Sequence, residues 1–130
     1  MAYEIIVESS FSAAHQLRGY KGKCENLHGH NWKVEAIFSS AKLNKIGLVL
    51  DFTKAKALLE EVLNEFDHKD LSNITFFKKN NPTSELIAKF VFDKLKKLSK
   101  NQARQKEAGQ AHLRKVSVWE TPTSCASYTD

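Results

Sequence analysis

The 130-residue sequence holds two cysteines, Cys24 and Cys125, too few for a disulfide framework. A reducing cytoplasm is the simplest compartment for such a chain, and there a thiol stays free. No uninterrupted apolar run is long enough to cross a bilayer, so no membrane association is expected. The opening stretch MAYEIIVESS carries acidic residues and lacks a basic n-region, so no secretory signal is expected and the cytoplasm is. There is no internal repeat and no low-complexity tract. Aromatic residues are not interleaved with a basic patch, which argues against a nucleic-acid-binding protein.

What is present is ordinary for a soluble globular chain. Hydrophobic residues make up 42% and charged residues 27%, as in an average globular domain. The length suits one domain over residues 1–130, with a core that needs no disulfide support. A net charge of +5 suits an anionic partner such as a phosphorylated small molecule. The densest basic run, Lys94, Lys96, Lys97 and Lys100, reads as the solvated face of a helix.

Residues 3–9 alternate, with Tyr3, Ile5 and Val7 opposite Glu4 and Glu8, which predicts a half-buried strand. Residues 16–27 contain Gly19 and Gly22 and read as a loop. Alternation resumes over 30–39, with Trp32, Val34, Ala36 and Phe38 on one face. Residues 53–66 switch to a helical period through Ala55, Leu58, Leu59, Val62, Leu63 and Phe66, capped by Asp51 or Thr53. A second helix follows Pro82, with Thr83 as N-cap and Leu86, Ile87, Phe90, Val91, Leu95 and Leu98 on its buried side. Residues 99–112 read as an exposed extension or loop. Strands are expected over 113–120 and 124–129. The order β-β-α-α-β-β predicts an α+β protein with two helices on one face of a four-stranded antiparallel sheet. Its two open edges favour a symmetric oligomer.

The segment CENLHGH, residues 24–30, concentrates the chemistry. His28 and His30 are two apart at the mouth of a strand, which puts both imidazoles on one face. Zinc takes imidazole nitrogens at about 2.0–2.1 Å in a tetrahedral set. The antiparallel pairing brings His15 from the first strand towards them, giving three histidines and an open fourth position, as in a catalytic site. Cys24 is either a fourth ligand, closing a structural zinc site, or a reactive thiol in a polar loop. In FDHKDL, Asp67 and His68 suit a group that orients a proton carrier beside a thiol. Because adjacent side chains do not easily face each other, Asp67 is expected to act on His68 indirectly. Glu120 continues the apolar phase of Val116 and Val118. It either ends the strand or is buried with a partner, and a carboxylate there can accept two parallel N–H bonds from a guanidine-like group. His112 reads as a surface residue and Cys125 as structural.

Together these stretches resemble the 6-pyruvoyltetrahydropterin synthase family, and its 6-carboxytetrahydropterin synthase branch most closely. The matching segments are FSAAHQL (11–17), CENLHGHNWKV (24–34), GLVLDF (47–52), FDHKDL (66–71), NPTSE (81–85) and VWET (118–121). The resemblance implies the tunnelling fold, in which subunits close into an oligomeric barrel, typically a hexamer made of two trimers with active sites between subunits. It implies Zn²⁺ on His15, His28 and His30, a general base at Cys24, and proton transfer completed by Asp67 and His68. It assigns Glu120 to anchoring the pterin ring, with Thr83 and Ser84 as neighbours. The implied substrate is 7,8-dihydroneopterin triphosphate, converted to 6-carboxytetrahydropterin on the route to queuosine. Glu25 adds a second signature, because a folate-related branch of the family places a glutamate three residues before HGH. That pattern implies a further product, 6-hydroxymethyl-7,8-dihydropterin. The competing expectations are a 6-pyruvoyltetrahydropterin synthase activity and a non-catalytic zinc-stabilised binding module.

Overall fold

The computed structural model describes residues 1–19, 26–105 and 111–130. Two long strands, β1 (Tyr3–His15) and β2 (His28–Ser40), pair antiparallel without interruption from Tyr3↔Ser40 to His15↔His28. Helix α1 (Phe52–Leu63) follows, then a two-residue strand β3 (Lys69–Asp70), a 3₁₀ turn over Leu71–Asn73 and a short helix α2 (Thr75–Lys79). The long helix α3 (Ser84–Gln105) leads to β4 (His112–Thr121) and β5 (Ser124–Thr129). The sheet order is β3-β1-β2-β4-β5. Among the described residues no helix is long and apolar enough to cross a membrane.

The helices cover one face of the sheet because the strands alternate. Val7, Phe11 and Ala13 of β1, Trp32, Val34, Ala36 and Phe38 of β2, and Val116 and Val118 of β4 turn towards α1 and α3. Leu59 and Leu95 reach them from the helices and are fully buried. Each large apolar side chain buried in this way contributes about 1.5–3 kcal/mol. Asp51 caps α1, its carboxylate accepting from the Thr53 N–H at 2.8 Å. Thr83 caps α3, its hydroxyl accepting from the Leu86 N–H at 3.2 Å.

β1 carries the alternation of residues 3–9 on through Phe11 and Ala13 to the strand end expected at His15, because pairing with β2 continues along its whole length. The structure departs from the sequence expectations elsewhere. α1 ends at Leu63, and Phe66 is buried from the turn that follows. Among the described residues the sheet has five strands, not four, and is not wholly antiparallel: Lys69 and Asp70 pair parallel with Ala13 and Ala14. Segment 66–79 is too short for a period to register, and it is held instead by the buried Phe66, Leu71 and Phe77. Of the two alternatives for residues 99–112, extension or loop, the first part follows the extension, since α3 continues to Gln105.

Candidate metal centre

The β1–β2 register builds the site. His28 lies directly opposite His15, and His30 opposite Ala13, so all three histidines share the helix-covered face at one end of the sheet. Trp32 forms the floor. Its ring meets those of His15 and His30 edge-on, with centroids 4.9 and 5.3 Å away, and its indole N–H donates to the Ala13 carbonyl. From β4, in phase with Val116 and Val118, Glu120 joins them. One donor atom from each of His15, His28, His30 and Glu120 lies within 4.8 Å of the others.

The hydrogen bonds fix which nitrogens face inward. His15 Nδ1 is 2.7 Å from the Pro82 carbonyl, and His28 Nδ1 is 2.7 Å from the Asn26 carbonyl. A carbonyl only accepts, so both Nδ1 atoms carry protons. In the neutral rings the Nε2 atoms are then bare, and they face each other at 2.9 Å. Two opposed lone pairs at that distance repel unless a cation lies between them. Among the described residues the buried His30 Nε2 has no hydrogen bond, although the Glu120 Oε1 is 3.1 Å away. The same oxygen is 3.1 Å from His15 Nε2. Burial is the largest influence on His30 and lowers its pKa, the nearby Glu120 opposing this and the other two histidines adding to it. That favours the neutral, ligating form. Three imidazole nitrogens and one carboxylate oxygen, with backbone carbonyls behind two of the rings, form a donor set that fits Zn²⁺.

Glu120 therefore stands beside the three histidines expected to hold the metal. The signal for Glu120 was its phase with Val118; the missing step was the pairing of β4 beside β2, which puts Trp119 opposite Lys33.

Asp67 and His68, in the turn between α1 and β3, lie against β1 at Ser12. The Ser12 N–H donates to Asp67 Oδ1 at 2.9 Å, and the His68 N–H donates to the Ser12 carbonyl at 2.6 Å. His68 has φ 59°, the left-handed region. This turns its ring back so that Nδ1 lies 3.1 Å from Asp67 Oδ1, which corrects the expectation that the two neighbours do not face each other. Both side chains are open to solvent. The Ser12 hydrogen bond, chiefly, and His68 hold the Asp67 carboxyl below its ordinary pKa.

Thr83 and Ser84 stand at the start of α3, directly after the Pro82 whose carbonyl holds His15. Cys24 and Glu25 lie outside the described residues. Cys125 is exposed on β5, not structural as read from the sequence, because strand alternation turns it outward. His112 is exposed at the start of β4.

A family model described as 6-pyruvoyl tetrahydropterin synthase matches residues 4–130. A 6-carboxy-5,6,7,8-tetrahydropterin synthase of Synechocystis sp. is 39% identical over 129 residues, covering 95% of this chain and 91% of the relative. A dihydroneopterin monophosphate aldolase of Pyrococcus furiosus is 32% identical, covering 92% and 91%. The structure of the Caenorhabditis elegans 6-pyruvoyl tetrahydropterin synthase superposes with a TM-score of 0.85 at 31% identity, covering 100% of this chain and 96% of that one.

Proposed function

The chain belongs to the 6-pyruvoyl tetrahydropterin synthase family, and on that premise we propose that it is a zinc-dependent lyase converting 7,8-dihydroneopterin triphosphate to 6-carboxy-5,6,7,8-tetrahydropterin. The observation that carries this reading is the convergence of bare Nε2 atoms from His15 and His28, with the orphaned Nε2 of His30, at one end of the sheet. His15, His28 and His30 would hold the zinc. Bound there, zinc supplies a Lewis acid for the hydroxyl oxygens of the substrate side chain.

The remaining roles belong to the chain's own residues. Cys24 takes a proton from the side chain as general base. Asp67 orients His68, and the two complete the proton-transfer group, an assignment supported by their 3.1 Å pairing. Glu120 accepts from the 2-amino group and adjacent ring N–H of the pterin. Its position beside His15 and His30 suits that role, since an anchored ring then extends its side chain towards the histidines. Thr83 and Ser84 flank the ring. The solvent-open Asp67 and His68 suit a site completed by a neighbouring subunit of a hexamer. The net charge of +5 suits the triphosphate. A cytoplasmic place in queuosine synthesis follows from the same reading.

A second product, 6-hydroxymethyl-7,8-dihydropterin, is favoured by Glu25 standing three residues before His28, together with the similarity to a relative named as an aldolase. The test for both is direct. Zinc-loaded protein is incubated with dihydroneopterin triphosphate and the pterins are identified by mass. The carboxy product is expected, and Glu25→Ala should remove the hydroxymethyl product alone. Absence of turnover would overturn the reading. Accumulation of 6-pyruvoyltetrahydropterin would move it to the pyruvoyl reaction. Binding of zinc with Cys24 protected from alkylation would point to a structural site.

A further inference from the structure

We propose that Asn81 is a positioning residue for the metal centre, acting on His15 through the Pro82 carbonyl. The inference rests on the metal reading above and extends it to a residue with no donor atom in the cluster.

On its Nδ1 side the His15 ring is oriented by the hydrogen bond to the Pro82 carbonyl at 2.7 Å. The Pro82 carbonyl shares its peptide plane with the Thr83 N–H, while the preceding Asn81–Pro82 peptide has no N–H to anchor it, so the carbonyl's direction depends on its neighbours. On one side Thr83 begins α3, its hydroxyl bonded to the Leu86 N–H and its own N–H donating to the Asn81 carbonyl at 2.8 Å. On the other side the Asn81 side chain grips the backbone of Arg18. Its Oδ1 accepts from the Arg18 N–H at 2.8 Å, and its Nδ2 donates to the Arg18 carbonyl at 2.7 Å.

A primary amide offers one acceptor and a donor side by side, which matches the N–H and C=O of a single residue. Arg18 lies three residues after His15 on the same strand exit. The clasp therefore closes a ring: His15, the chain to Arg18, the Asn81 side chain, the Pro82 carbonyl, and back to His15 Nδ1. Within it the histidine and its acceptor cannot drift apart independently. The Arg18 side chain makes a separate bond, from Nη2 to the Phe77 carbonyl at 3.0 Å. The clasp itself uses only Arg18's backbone, so the two contributions can be separated by mutation.

Three variants test this, with zinc alone as the probe and a competing chromophoric chelator as the readout. Asn81→Ala removes both clasp bonds. Asn81→Asp keeps the volume and the bond from the Arg18 N–H, but sets a carboxylate oxygen against the Arg18 carbonyl. Each is expected to weaken zinc binding by up to about tenfold, the low end of the cost of losing an outer-shell partner outright, because the Pro82 carbonyl stays but is no longer held in place. Arg18→Ala leaves the clasp intact and should bind zinc as the unaltered chain does, so any general loosening of the loop appears in it too. Unaltered affinity in folded Asn81→Asp overturns the inference. Equal losses in Arg18→Ala and Asn81→Asp also overturn it, since the effect would then be structural. An unaltered chain that takes up no zinc overturns the metal reading itself, a separate and recognisable result.

Discussion

Asp67 and His68 are adjacent in sequence, yet the His68 Nδ1 lies 3.1 Å from the Asp67 Oδ1 because His68 adopts φ 59°. The left-handed region is costly for a residue with a Cβ, roughly 1–2 kcal/mol. The structure accepts that cost to point two polar side chains at each other, and the backbone contacts to Ser12 hold the turn in place.

A glycine at this position relieves the strain and removes the ring. His68→Gly should therefore be more stable than His68→Ala, by up to about 1 kcal/mol, the left-handed penalty of alanine less the greater chain entropy of glycine. Urea unfolding of the two metal-free variants measures the difference, while both should lose activity. Equal stabilities would show that the strain does not exceed the entropic cost of glycine, about 0.5–1 kcal/mol.

The Asp67 carboxyl is held below its ordinary pKa, chiefly by the Ser12 N–H. The sign follows from the direction. The ionised form is favoured in the folded chain, so its stabilising effect is present above the ordinary carboxylate pKa and is lost as pH falls through the lowered folded value. Carbon-detected NMR titration should find the Asp67 midpoint below 3.8. In Asp67→Asn the acid-side loss of stability should be smaller.

Zinc binding to the folded chain should raise the melting temperature. At a free zinc concentration of 100 times Kd, the stabilisation is about 2.7 kcal/mol. His15→Ala, His28→Ala and His30→Ala should each lose most of it, and a chelator should reverse it in the unaltered chain. Calorimetry with and without zinc makes the comparison. A zinc effect surviving in all three would place the ion elsewhere.

Glu120 separates the two roles open to a carboxylate beside histidines. Under the proposed function it holds the pterin, so Glu120→Gln should keep zinc affinity and lose substrate affinity, seen as a raised KM. Loss of zinc affinity instead would make Glu120 a fourth ligand, as its 3.1 Å distances to His15 and His30 would permit.

Trp32 supports the centre by packing, its indole N–H held by the Ala13 carbonyl. Trp32→Ala should destabilise the chain by about 3–5 kcal/mol, because the side chain is fully buried. The histidines above it would lose their floor, so zinc affinity measured in the folded fraction should also fall.

Much of this arrangement was legible because local signals agreed with the tertiary outcome. The alternation through Trp32, Val34, Ala36 and Phe38 marked the inner face of β2, and the same phase carried His28 and His30 onto it. The capping reading of Asp51 and Thr83 rested on local chemistry, which the surrounding fold leaves unchanged. What escaped depended on contacts distant in sequence. Lys69 and Asp70 form a strand only because Ala13 and Ala14 offer an edge. Glu120 meets the histidines only because β4 lies beside β2. Nothing within FDHKDL announces the left-handed turn that pairs Asp67 with His68.

The uninterrupted ladder from Tyr3↔Ser40 to His15↔His28 also sets an error limit. Shifting one strand by a single residue inverts which side chains face the helices. A hairpin displaced in that way would send either His15 or the His28–His30 pair to the opposite side of the sheet. The donor set therefore exists only in a correctly aligned hairpin. Uptake of the ion reports strand alignment as directly as it reports the presence of the ligands, and a misaligned chain would be recognisable by its failure to retain metal.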